Sequence, residues 1–435
     1  MKRGFYTIMS AQFFSSLADN ALFVTAVELL KADGAPEWQR AALVPMFALF
    51  YVVLAPFVGA FADSRPKGEV MLISNTIKVV GCLMMLFGVH PLISYAVVGL
   101  GAAAYSPAKY GILTELLPAS QLVKANGWIE GLTIGSIILG VLLGGQLVGH
   151  NLSSLLLSCD IPLITTGVDT PAEAAISLLI FVYALAAWFN KRIPYTGAAL
   201  VPMRHDADKS MLHNLVALLP DFWHCNQRLW HDKLGQISLA TTTLFWGVSG
   251  NLRYIVLAWS AAALGYSTTQ ASSLVGVVAI GTAVGAVVAS MKTRLEHATQ
   301  LMPLGIAMGV FVVAMNFIDQ LWLAVPFLIV LGGLGGFLVV PMNALLQHRG
   351  HNLMGAGRSI AVQNLNEQLC ILGLGGLYTL STGMGLTAFG AITAFGVLVG
   401  FVMWLIKRWH EHNQVHHAEE LERLLNIARH DDLHG

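Results

Sequence analysis

Phe14-Ser15-Ser16-Leu17-Ala18-Asp19-Asn20-Ala21-Leu22-Phe23-Val24 lies inside an apolar run that extends from Phe5 to Leu30. A helix of that length crosses a bilayer. Asp19 falls about 21 Å from the start of the run, near mid-depth, at roughly 1.5 Å per residue. A carboxylate there is costly and marks a functional position. The pattern returns as Phe245-Trp246-Gly247-Val248-Ser249-Gly250-Asn251-Leu252-Arg253-Tyr254-Ile255. Phe14 aligns with Phe245, Asn20 with Asn251 and Phe23 with Tyr254. Asp19 meets Gly250, and Leu22 meets Arg253. One half therefore offers a buried acid where the other offers a buried base. The repeat predicts a membrane carrier of two related halves, with acid and base facing one central cavity.

Composition agrees with a membrane chain. Of 435 residues, 56% are hydrophobic and 11% charged, with a mean hydropathy of +0.67. Soluble domains carry about 25% charged residues. Net charge is zero and indicates no partner; nothing points to nucleic acid. Cys82, Cys159, Cys225 and Cys370 are scattered, so no disulfide framework is implied. The first apolar run is full length and carries Asp19, so it reads as a span and not as a cleaved signal.

Twelve spans are expected, near 5–30, 41–62, 69–90, 91–117, 121–149, 172–190, 237–264, 268–290, 300–318, 321–346, 356–380 and 385–406. With the N-terminus inside, the outer loops hold only Lys31 and Arg40 of the 24 Lys and Arg. Lys78, Lys109 and Arg253 lie deep within spans, Lys124 and Arg358 fall at the inner ends of theirs, and the rest fall in inner loops and tails. The positive-inside rule then puts both termini in the cytoplasm. The expected organisation is an N-terminal six-helix half (1–190), a cytoplasmic linker (191–236), a C-terminal six-helix half (237–406) and a cytoplasmic His-rich tail (407–435). In the linker, Leu212, Leu215, Leu218 and Leu219, followed by Trp223, Arg228 and Trp230, fit either a helix on the inner membrane face or a plain connection.

Further landmarks repeat. Tyr105-Ser-Pro107-Ala-Lys109 in the fourth span aligns with Val339-Val-Pro341-Met-Asn343 in the tenth. Asn126…Glu130 aligns with Gln363…Glu367, an amide and a Glu four apart in both. Two parallel six-span repeats resemble the major facilitator superfamily, an all-α integral membrane fold of twelve transmembrane helices in two pseudo-symmetric halves. Gly59-Ala-Phe-Ala-Asp63-Ser-Arg65-Pro-Lys67 resembles that superfamily's cytoplasmic signature. The resemblance implies a gate at Gly59, Asp63, Arg65 and Lys67; a short inner loop rich in cations is the alternative. Lys78, with Asn75 one turn earlier, either lines the cavity or serves as structural partner to a carboxylate. Glu130 and Glu367 either face the cavity or bind neighbouring helices.

The runs around Asp19-Asn20, Pro56–Asp63, Tyr105–Leu113, Lys124–Gly127, Trp246-Gly247 and Pro341–Gln347 resemble the bacterial lysophospholipid transporter family. That resemblance implies transport of lysophosphatidylethanolamine and related lysolipids from the outer to the inner leaflet of the inner membrane, for re-acylation. It also implies a polar site with Asp19, Lys109 and Arg253. The substrate-binding set expected here is Asp19, Asn20, Lys78, Tyr105, Lys109, Glu130, Trp246, Asn251, Arg253, Asn343 and Glu367. Arg offers a planar fork for phosphate and Lys a point charge, so a phosphoethanolamine head would suit a site with two cations and nearby carboxylates.

No His is followed five residues later by Asp, the usual acyltransferase pair, so a separate acyltransferase is expected to act on the product. The reading calls for no enzyme activity, no cofactor and no metal. His410, His412, His416, His417, His430 and His434 in the tail could chelate a metal, but a solvated amphipathic helix with Leu421, Leu424, Leu425 and Ala428 on one face explains them. The alternative function is a drug or small-solute antiporter of the same fold. Such carriers often have Gly-Pro-x-x-Gly-Gly in the fifth span, where this chain reads Gly140-Val-Leu-Leu-Gly144-Gly145.

Overall fold

The computed structural model describes residues 3–35, 37–148, 170–203, 210–266 and 268–430. Cys159 and His434 lie outside these residues. Each of the twelve expected spans coincides with helix. The first half contains α1 (Arg3–Ala32), α2 (Glu37–Val53), α3 (Ala55–Asp63), α4 (Lys67–Leu86), α5 (Pro91–Leu116), α6 (Ala119–Val148) and α7 (Pro171–Lys191). Two linker helices follow, α8 (Met211–Val216) and α9 (Leu218–His231). The second half contains α10 (Gly235–Leu264), α11 (Thr268–Lys292), a 3₁₀ turn (Leu295–Leu301) leading into α12 (Met302–Ala314), α13 (Leu321–Met354), α14 (Ala356–Gly383) and α15 (Ala388–His416). A tail helix, α16 (Ala418–His430), comes last.

Among the described residues, eight helical segments are long and apolar enough to cross a membrane. The pair α2–α3 is a ninth if taken as one span, bent by 63°. Pro56, in the first turn of α3, is the cause of that break: it supplies no N–H to the preceding turn and its ring crowds it. The three remaining long helices, α5, α10 and α14, are those that carry Lys109, Arg253 and Glu367. Local signals set several ends. Thr170 and Glu173 form a reciprocal capping box at the start of α7. α10 stops at Gly265, whose φ of +66° is left-handed.

By contacts the chain forms two compact units. One contains 1–112 and 135–219; the other contains 113–134 and 220–435. In the first unit, a core of Ala18, Leu22, Leu30, Val98, Leu179 and Tyr183 joins α1, α5 and α7. Gly140 and Gly144 bring α6 onto α1, where a Cβ would strike the carbonyls of Leu17 and Ala21. In the second unit, α11 and α13 cross closely through Gly281, Gly285, Gly332 and Gly336; a Cβ on Gly332 would sit on the Val278 carbonyl. Small residues at such crossings are how membrane helices gain packing without a hydrophobic drive.

The linker helix α9 is fixed by polar bonds. Asp221 pairs with Arg358 at 3.1 Å, and Asn366 donates to Asn226 at 2.9 Å. Trp230 donates its indole N–H to Asn366 at 3.3 Å and stacks on Trp409. Asp232, just beyond the helix, accepts two bonds from the Arg349 fork, at 3.2 and 2.6 Å, and caps α10 through the Gly235 N–H. This segment is thus docked on α13, α14 and α15 rather than being a plain connection. Trp223 remains exposed on its other face.

Candidate functional site

The first unit holds a buried polar cluster around Asp19. Lys78, only 1% exposed, reaches across from α4 and places Nζ 2.8 Å from Asp19 Oδ2. Nζ also donates to Ser15 Oγ at 2.9 Å, and Ser15 donates in turn to Asn75 Oδ1 at 2.8 Å. Tyr183 of α7 donates its hydroxyl to Asp19 Oδ1 at 2.7 Å. The ammonium lies over the rings of Tyr105 and Tyr183, 5.0 and 5.7 Å from their centroids. Close packing makes this reach possible: a Cβ on Gly101 would strike Lys78 and the Ser74 carbonyl. Of the two readings left open for Lys78, the geometry is that of a carboxylate partner. Both Asp19 oxygens are already engaged, so a substrate amine would have to displace Lys78 or share Asp19 with it. The Tyr105 hydroxyl and the Asn75 Nδ2 are buried without a protein partner, which leaves polar atoms beside the pair.

The other expected residues of this unit are placed as follows. Asn20 donates to the Ser16 carbonyl at 2.8 Å, a bond within its own helix. Lys109 is buried, with Nζ 4.0 Å from the centroid of the Tyr110 ring. Asp63 and Lys67 form a buried pair at 3.1 Å, and Lys67 also donates to the Ala62 carbonyl at 2.7 Å. Arg65 pairs with Glu69 on the surface, and Gly59 is buried in α3. The four residues expected at the gate thus bracket one turn between α3 and α4.

In the second unit, Gln363 joins two landmarks of the repeat. Its Nε2 donates to Asn343 Oδ1 at 2.9 Å and to Glu367 Oε1 at 2.7 Å. Glu130 is buried, 3% exposed, on α6. Asn251 donates to the Gly247 carbonyl at 2.8 Å and to the Ile371 carbonyl at 3.0 Å, which binds α10 to α14. Trp246 packs edge-on against Phe245. Arg253 lies on α10, and its side chain is outside what the structure describes. No three His, Cys, Asp or Glu side chains come together as a metal would need, among the described residues.

Sequence reasoning passed over one cluster. Asn126 of α6 and Gln347 of α13, both buried, exchange two amide hydrogen bonds of 2.9 Å each. Thr114 of α5 meets His351 at 3.0 Å nearby. Gly127 lets α6 come against α11, where a Cβ would strike Ser290 and the Ala286 carbonyl. The C-terminal end of α5 and the N-terminal end of α6 are thus locked to α11 and α13. Both amides stood in quoted motifs, but nothing local marks them as a pair. We expect Asn126→Leu to release this lock, because it strands a buried Gln347 at a cost of about 1–3 kcal/mol. Thiol labelling of a Ser290→Cys reporter should then rise several-fold. Unchanged labelling would show that the amide pair does not hold these ends together.

A family model for the Major Facilitator Superfamily matches residues 8–368. The chain belongs to the major facilitator superfamily. Among curated members similar to it is the lysophospholipid transporter LplT of Enterobacter sp. (strain 638), 38% identical over 410 residues, which are 93% of this chain and 96% of that one. LplT of Yersinia pestis (strain Pestoides F) is 39% identical over 386 residues, 88% of each chain. The resemblance drawn from the motifs is therefore borne out across nearly the whole length. Solved structures share the fold. The superfamily transporter FucP, crystallised in the outward conformation, superposes with a TM-score of 0.69 at 11% identity, covering 93% of this chain and 98% of that one. The human organic anion transporter MFSD10 gives 0.69 at 14% identity, covering 93% and 100%.

Proposed function

We propose that this superfamily member is a lysophospholipid transporter of the bacterial inner membrane. It moves lysophosphatidylethanolamine and related lysolipids from the outer to the inner leaflet, where a separate acyltransferase restores the second chain. The chain itself performs no covalent step. The observation that carries this reading is the 38% identity to a lysophospholipid transporter over 93% of the chain. Two six-helix halves (1–190 and 237–406) form the carrier, with 191–236 as cytoplasmic linker and 407–435 as cytoplasmic tail.

Arg253 is assigned to the substrate phosphate, assisted by Lys109. Asp19 receives the head-group amine in exchange for Lys78. Tyr105, Asn20, Trp246, Asn251, Glu130, Asn343 and Glu367 support the polar surface or fix the helices that bear it. Asp63 and Lys67, with Gly59 and Arg65, form the cytoplasmic gate.

The test is uptake of labelled lysophosphatidylethanolamine and lysophosphatidylglycerol into spheroplasts that lack other carriers. Both should enter and become re-acylated when the acyltransferase is present. A protein that moves neither lipid yet exports a cationic dye would sink this reading in favour of an antiporter. A reporter fused after His430 should read as cytoplasmic, as the distribution of Lys and Arg requires.

A further inference from the structure

A second polar feature of the first unit lies apart from Asp19, where α4 begins beside the end of α7. A cleft of about 250 Å³ opens there, lined by Lys67, Gly68, Glu69, Asn190, Lys191 and Tyr195 among others. Such a volume is below the roughly 300–1,000 Å³ of sites for drug-sized ligands, so it suits one head group. The first turn of α4 faces this cleft with Pro66 as its N-cap and no side-chain cap. The Glu69 and Val70 N–H groups donate to the Pro66 carbonyl, at 2.9 and 3.1 Å, and the helix dipole favours an anion beyond this end.

An independent observation points to a missing ligand. Asn190 lines the cleft and is 1% exposed, yet neither its Oδ1 nor its Nδ2 has a partner. A buried amide left unsatisfied costs about 1–3 kcal/mol. The charges suit an anion as well. Lys191 stands exposed at the rim, and Glu69, the one carboxylate in the lining, is already held by Arg65. Gly68 keeps the cleft close to the backbone, since a Cβ would meet Ile193 and the Asn190 carbonyl at 3.0–3.1 Å.

The surroundings match a membrane surface. Pro194, in the lining, also packs on Gly4 at the start of α1. Exposed Trp188 carries Arg192 over its ring at 3.7 Å, and Tyr195 is 60% exposed. Amphipathic rings and a snorkelling cation belong at the head-group level.

We propose that this cleft binds the phosphate group of a membrane phospholipid, with the first turn of α4, Asn190 and Lys191 as its recognition elements. The cleft shares Lys67 with the proposed gate and includes none of the groups bonded to Asp19, and its occupancy does not depend on what the transported solute is. Inorganic phosphate shares the chemistry and is the other source to be distinguished.

Native mass spectrometry on the purified full-length protein tests this. The probes are a short-chain phosphatidylglycerol, the diacylglycerol with the same chains and no phosphate, and inorganic phosphate. Wild type should retain the phosphatidylglycerol and not the diacylglycerol. Asn190→Leu should cut retention about tenfold, the worth of one bond to a charged group. Lys191→Glu, an exposed change that leaves folding alone, should cut it at least as much. Retention of inorganic phosphate without lipid, lost in the same variants, supports the anion site and assigns it to a soluble source. Equal retention in wild type and Lys191→Glu, or equal retention of the diacylglycerol, overturns the proposal. Lysolipid uptake measured on the same variants keeps the two readings apart, because lipid retention and solute transport can fail independently.

Discussion

Lys78→Met should lower lysolipid uptake at least about a hundredfold and destabilise the protein, whereas Asp19→Asn combined with Lys78→Met should restore stability without restoring transport. The reason lies in the cost of an unpaired charge. With Lys78 removed, Asp19, whose side chain is 18% exposed, keeps the Tyr183 hydroxyl at 2.7 Å but loses the cation that balances it. Breaking a buried pair from one side costs about 3–5 kcal/mol, while replacing both partners with neutral groups is often neutral. The readouts are initial uptake rate and thermal unfolding of the purified variants. Full uptake by the double variant would show that the pair only holds α1 to α4. Asp19→Asn alone should discriminate between substrates. It should impair lysophosphatidylethanolamine more than lysophosphatidylglycerol if a substrate amine takes the place of Lys78, and both equally if Asp19 acts only through Lys78.

Arg253→Lys should lower uptake about 10- to 100-fold with protein levels unchanged. The substitution keeps one positive charge but loses the planar fork that meets two phosphate oxygens together. An uptake rate within about twofold of wild type would remove Arg253 from the phosphate site. The comparison is informative because the change is conservative in charge. A screening role would survive it, and bidentate recognition would not.

The long helices were legible because an extended, mostly apolar run is a local property, although among the described residues only eight, or nine with the bent pair, are apolar enough throughout to span. The partner choices were not. Asp19 announced itself by its depth, but its bond to Lys78 joins positions 59 residues apart. Which ammonium arrives there depends on how closely α4 and α5 meet at Gly101, a feature of packing and not of pattern. Asn126 and Gln347 lie 221 residues apart, and each alone reads as an ordinary polar residue near a helix end. Asn251 shows the converse. Its place in the repeat suggested a ligand, yet its amide is committed to the backbones of α10 and α14. The break at Leu54 had a visible cause in Pro56, but many membrane helices accommodate proline, so a bend of 63° needed the structure.

The lock between Asn126 and Gln347 is made of two neutral amides. Neither side chain titrates, and neither carries charge through the membrane field. The free energy for moving one charge is about 2.3 kcal/mol per 100 mV, and this pair contributes none of it. Parting these helix ends is therefore electrically silent. Any voltage dependence in the transport cycle must enter with Asp19, Lys78, the other buried ions or the substrate itself.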